Sequence, residues 1–79
     1  MNKETRKRLE SLKEQLDGIV SELNEIADAE EEKYENAPEN LQTSERVGAW
    51  QDCADQIRMI CDDIENASDE LESEVIDVF

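Results

Sequence analysis

Leu9, Leu12, Leu16, Ile19, Leu23 and Ile26 step along the chain by three and four through three unbroken heptads, with polar residues between them. Apolar side chains at that spacing share one stripe of an α-helix, so the pattern predicts a helix that packs against another helix. This first helix is expected over about residues 3–34, with Asn2 or Thr5 available to cap its start. Gly18 faces solvent in this register and weakens the helix by up to about 1 kcal/mol. Val20, Ala27 and Tyr34 fall one position beyond the stripe, so the apolar face is wider than a two-stranded coiled coil uses, and a third neighbour is implied.

The only proline sits in Asn36-Ala37-Pro38-Glu39-Asn40, which disfavours helix at Ala37 and supplies turn-forming residues around it. A bend over about residues 35–43 follows, with Leu41 tucked beneath it. A second helix over about residues 44–77 is opened by Thr43 or Ser44, with Glu45 well placed in its first turn. Its stripe runs Val47, Trp50, Ala54, Ile57, Cys61, Ile64, Ser68, Leu71, Val75 and Val78, flanked by Cys53, Ile60 and Ala67.

Two long helices, each with a stripe and one extra apolar row, predict an all-α fold: a single domain, residues 1–79, forming an antiparallel two-helix hairpin. A chain this short buries only about 60% of the surface its unfolded form exposes. That shortage points to pairing of two hairpins into a four-helix bundle, with Val20, Trp50, Ile57, Ile60 and Ile64 expected in the dimer core; a monomer with partly exposed apolar flanks, or a long two-stranded coil, is the alternative.

Charge changes the picture more than length does. The chain has a net charge of −15 on 79 residues, and from residue 14 onward twenty-one Asp and Glu face only Lys33, Arg46 and Arg58. Acid-rich chains with few apolar residues stay disordered as a rule; here the helical periodicity gives a reason to fold, so the charge lies on a shaped surface. The first helix shows a ladder of Glu10, Glu14, Asp17, Glu25, Asp28, Glu31, Glu32 and Glu35. On the second, Asp55, Asp62, Asp63, Asp69, Glu70 and Asp77 occupy outer positions, widened by Asp52, Glu65 and Glu72. Like charges three and four residues apart cost about 0.2–0.5 kcal/mol per pair, and this chain accepts that cost repeatedly.

Two readings of the acid compete. A solvated, soluble face is the plain one, although −15 exceeds the magnitude of about 2–8 that solubility asks of a small domain. The other is phosphate mimicry: duplex DNA carries one negative charge per about 1.7 Å, and thirty helical residues span about 45 Å. On that reading Asp28, Glu31, Glu32, Glu35, Asp52, Asp55, Asp62, Asp63, Asp69 and Glu70 are the partner-binding residues, and the partner is the basic surface of a nucleic-acid-binding complex, without direct contact to nucleic acid.

Other chemistry finds little to use. The chain has no His and no Cys-x-x-Cys pair, so no zinc site is expected, and no calcium-binding loop is present. Cys53 and Cys61 lie about 12 Å apart along one helix, too far for a bond within the chain, and read as free thiols. No cofactor is implied, and no nucleophile has a base beside it, so an enzyme is not expected. No apolar run reaches the roughly 18 residues of a membrane span, and the basic start lacks a signal-peptide core, so a soluble cytoplasmic protein is expected.

The stretch Tyr34-Glu35-Asn36-Ala37-Pro38-Glu39-Asn40-Leu41-Gln42-Thr43-Ser44-Glu45-Arg46 resembles one found in short acidic helical proteins of phages and prophages. Their pattern reads Tyr or Phe, Asp or Asn, x-Pro-Glu-x-Leu-Gln-x-Ser-Glu-Arg-Gly, followed by an acidic amphipathic helix; this chain places Val47 at the glycine position and Gly48 one later. The resemblance carries no activity and no functional residue. It implies a context, an infected or lysogenic bacterial host, in which small acidic proteins include DNA mimics that block restriction enzymes, CRISPR effectors and other nucleases. A helical adaptor or structural dimer that binds its partner through apolar surfaces is the alternative expectation.

Several further residues carry weaker expectations. Trp50 reads as core, Tyr34 as packed at the bend, and Met59 as outward-facing. The basic amino end is expected beside Asp69 to Glu74, and the Val75 to Phe79 tail at the end of the core.

Overall fold

Asn2 has extended backbone, and its side-chain oxygen accepts from the Thr5 N–H at 2.8 Å, supplying one of the acceptors that the free donors of a helix start require. From there α1 runs unbroken over Lys3–Asn36 in the computed structural model, which describes all residues from Met1 to Phe79. Ala37 is extended, as the residue before a proline tends to be, and the helix ends there. A single 3₁₀ turn over Glu39–Leu41 reverses the chain, and Ser44 then accepts from the Val47 N–H at 3.3 Å to cap α2, Glu45–Glu70. The two helices pack antiparallel along their length into a rod with principal extents of 59 × 16 × 12 Å.

The residues of the bend motif have structural work here. Pro38 stops α1 and its carbonyl accepts from the N–H groups of Leu41 and Gln42 at 2.8 and 3.2 Å. The Gln42 side-chain amide donates back to the carbonyl of Ala37 at 3.2 Å and to that of Tyr34 at 3.4 Å, which also accepts the Ala37 N–H at 3.2 Å. Leu41 does not tuck under the turn; it lies within the 3₁₀ turn itself and is 46% exposed.

The contact between the helices is centred on a column of residues seven apart: Val20 and Ala27 on α1, Val47, Ala54, Cys61 and Ser68 on α2. With Ile76 these are the only buried residues of the chain. All six are small or β-branched, and the Cys61 thiol comes within 3.9 Å of the Val20 carbonyl, so side chain meets backbone across the interface. Small residues let two helices approach closely, and the larger Leu, Ile and Trp side chains are displaced to the flank.

That geometry corrects the expected register of α1. The contact uses Leu9, Lys13, Leu16, Val20, Leu23, Ala27, Glu30 and Tyr34, all buried or half-buried, while Leu12, Ile19 and Ile26 of the expected stripe are 44%, 45% and 52% exposed. Val20 therefore belongs to the inside of its own hairpin and is not free to form a dimer core. Trp50, Ile57 and Ile64 are half-buried against α1, and Ile60 alone among the expected dimer-core residues is largely exposed. On α2 the expected stripe holds as far as Leu71. Beyond it Leu71–Ile76 winds as π-helix, with the Asp77 N–H donating to the Glu72 carbonyl five residues back. A wider turn advances the buried face by one residue, so Ile76 takes the inside place expected for Val75, which is half-buried, and Val78 is turned out.

The two ends of the chain meet, as the charge pattern anticipates. Lys13 lies 3.7 Å from Glu72, the Arg6 guanidinium donates to the Ile76 carbonyl, and the amino terminus donates to the Phe79 carbonyl at 3.3 Å.

Candidate functional site

The hairpin has two unlike sides, and the cross-helix polar contacts show which is which. Arg58 on α2 donates to Asp28 at 2.8 Å and to Glu31 at 2.6 Å on α1; Ser68 donates to Asp17 at 2.8 Å; Lys13 pairs with Asp17 at 3.1 Å and reaches toward Glu72. Ser68 belongs to the buried column and Lys13 continues it on α1, while Asp17, Asp28, Glu31, Arg58 and Glu72 all lie along one edge of it. Beside them, three or four residues away on the same helix faces, stand Glu10, Glu14 and Glu35 on α1 and Asp55, Asp62, Glu65 and Asp69 on α2. Eleven carboxylates thus share one side of the rod, with Lys13 and Arg58 the cations set among them.

The expected partner-binding residues divide on this frame. Asp28, Glu31, Glu35, Asp55, Asp62 and Asp69 come together on the acidic side. Glu32 and Asp52 stand on the backs of their helices, and Asp63 and Glu70 border the opposite, apolar side. Asp28 and Glu31 are part of the acidic surface but not free in it, because Arg58 is bonded to both. Glu10, Glu14, Asp17, Glu65 and Glu72 join the surface without having been singled out as binding residues; their seven-residue repeats with the others were the available signal.

The local electrostatics follow from these bonds. Hydrogen bonds from Ser68 and then from Lys13 hold the Asp17 carboxyl below the ordinary carboxylate range, against a smaller opposing effect of lost hydration. Its bond to Asp17 in turn raises the Lys13 ammonium, and the bond to Asp28, with the charge of Glu31, raises the Arg58 guanidinium. These three groups stay ionised across the neutral range, so the ion pairs of Lys13 and Arg58 persist there.

The opposite edge is apolar. Leu9, Leu16 and Leu23 of α1 and Trp50, Ile57, Ile64 and Leu71 of α2 are half-buried along it, and beyond them lie the exposed rows Leu12, Ile19, Ile26 and Cys53, Ile60, Ala67. In an antiparallel pair the matching flanks of the two helices lie on the same edge, so both rows widen one face. Met59, at 60% exposure, is outside this face, on the back of α2. There is no cavity, no cluster of side chains with the makings of a metal site, and no helix long and apolar enough to cross a membrane. No family of known proteins, curated protein or solved structure matches the chain.

Proposed function

We propose that the protein is a non-enzymatic, acidic interaction protein that inhibits a nucleic-acid-binding host defence enzyme, a CRISPR effector or restriction-type nuclease, by presenting carboxylates where that enzyme expects phosphates. The observation that carries this reading is the gathering of eleven carboxylates on one side of a rigid rod, opposite an apolar side. From Glu10 to Glu35 the acidic side extends about 38 Å at 1.5 Å per residue, and its eleven carboxylates less the Lys13 and Arg58 cations leave about one net negative charge per 4 Å. One strand of duplex DNA offers a charge about every 3.4 Å along the axis, so the spacing suits a basic groove built for a nucleic-acid backbone. Binding of this kind is steered by long-range attraction and needs no chemistry at the surface. The resemblance of the bend to phage and prophage proteins supplies the setting, the cytoplasm of an infected or lysogenic bacterium. We read the working form as two hairpins in a four-helix bundle.

The test is capture of proteins from a bacterial lysate at low salt, repeated with competing duplex DNA and with the triple variant Asp55→Lys, Asp62→Lys, Asp69→Lys. Capture of a nuclease or DNA-binding complex that DNA releases and the folded variant loses is the expected result. Undiminished capture by the folded variant overturns the reading. The exposed apolar rows favour a second reading, a helical adaptor that grips its partner through apolar surface; its mark is capture that survives about 0.5 M salt, where exposed charge pairs are largely screened.

A further inference from the structure

The apolar edge is as large as the largest apolar patches that monomers expose, which are often functional. It runs about 26 Å along α1, from Leu9 to Ile26, and about 32 Å along α2, from Trp50 to Leu71, at 1.5 Å per residue, and is about 20 Å across two helix diameters. Its flat footprint is roughly 570 Å², before the relief of the side chains is counted. That lies at the top of the roughly 300–600 Å² range of the largest apolar patch on a typical monomer and, with the relief counted, approaches the roughly 800 Å² per partner of a stable interface.

We propose that this face is covered by the same face of a second copy, and that the resulting dimer tightens as salt is raised. This deepens the four-helix reading above, on which it rests, by naming the surface that forms it. Three features point to a second copy as the occupant. Over the stretches just measured the face holds no charged residue, whereas the rest of the rod is strongly acidic, so a basic partner is drawn to the other side. It consists of two antiparallel helices with rows repeating every seven residues, Leu12, Ile19 and Ile26 beside Cys53, Ile60 and Ala67, the ridged surface that a like pair of helices can interdigitate with. Finally, face-to-face pairing turns the two acidic sides outward in opposite directions, the arrangement that best separates two chains of −15 each.

The salt dependence follows from the rim. Glu22, Asp63 and Glu70 are exposed along the borders of the face and meet their counterparts when two copies close. Screening that repulsion costs the apolar contact nothing, since the Debye length falls from about 10 Å at 0.1 M to about 3 Å at 1 M. Salt therefore acts with opposite sign on the two sides of the rod, loosening a basic partner and tightening the dimer.

Sedimentation of the full chain at micromolar concentration, in 0.05 M and 0.5 M NaCl, tests this. The expected result is a mass twice the 9.1 kDa of the chain, with a dissociation constant several-fold lower at the higher salt. Leu12→Glu with Ile60→Glu should sediment as a monomer with helical circular dichroism retained, while Asp55→Lys with Asp62→Lys, on the other side, should remain dimeric. A monomeric wild type overturns both this inference and the four-helix reading. A dimer that persists in Leu12→Glu with Ile60→Glu, or loosens with salt, overturns the assigned face and leaves the four-helix reading standing. If the double Glu variant unfolds, Leu12→Ala with Ile60→Ala decides: a dissociation constant raised at least tenfold supports the face, and an unchanged one overturns it.

Discussion

Replacing Ala54 by leucine tests the packing argument most directly. Ala54 and Ala27 are both 0% exposed, and one turn of the repeat further along α2 Cys61 already comes within 3.9 Å of backbone oxygen on α1. Three added carbons at residue 54 find no vacant volume, so the helices must separate or the new side chain must leave its preferred rotamer. Overpacking of this kind costs about 1–3 kcal/mol. A 79-residue chain is worth in total about 4–12 kcal/mol, and one that buries seven residues belongs near the lower end. At about 2 kcal/mol the loss is a fall in Tm of about 8–16 °C, using about 4–8 °C per kcal/mol for a domain of this size. Thermal melts followed by circular dichroism, at one fixed chain concentration, measure it, with Ala49→Leu on the exposed back of α2 as the control expected to move Tm little. The opposite outcome is physically available: in a coiled coil with ordinary spacing, leucine in this column fills a hole and stabilises. If Ala54→Leu melts at or above the wild-type temperature, the close approach through small residues is wrong.

Two further expectations use the same melts. Gly18 and Gly48 are helical, and a Cβ added at either meets nothing within 4 Å, so Gly18→Ala and Gly48→Ala should each stabilise by about 0.5–1 kcal/mol; a loss at either position would contradict the open surroundings described. Asp17 has its carboxyl pKa lowered by Ser68 and Lys13, so its folded form binds a proton less readily than its unfolded form. The stability it contributes is therefore present above the unfolded value of about 3.9 and is lost as pH falls through the lower, folded value. The stability difference between wild type and Asp17→Asn should be constant near neutrality and shrink in acid below about pH 4; a difference independent of pH down to the acid limit would remove Asp17 from the charge network.

Much of the architecture was legible along the chain because it depends on local rules. Pro38 can only interrupt a helix, Asn2 and Ser44 are good caps, and apolar residues every three or four positions make a helix amphipathic wherever it lies. Two helices, one bend and an acidic surface therefore follow from sequence alone, and so does an apolar face wider than one partner helix covers. Gln42 was not legible in the same way, since its two acceptors on Tyr34 and Ala37 come within reach only after the chain has turned.

The side of α1 that α2 occupies was decided by tertiary structure. The sequence ranks positions by apolarity, and by that measure Leu12, Ile19 and Ile26 outrank Lys13, Val20 and Ala27. Helix packing answers to the distance between axes as well, and Ala27, Ala54, Cys61 and Ser68 permit an approach that leucine and isoleucine forbid. Arg58 adds to the preference by finding Asp28 and Glu31 across the same edge. The chain thus determined by itself that it would form two helices with more apolar surface than they could cover. Only the closeness of two backbones decided that Leu12, Ile19 and Ile26, and not Val20 and Ala27, would be left outside.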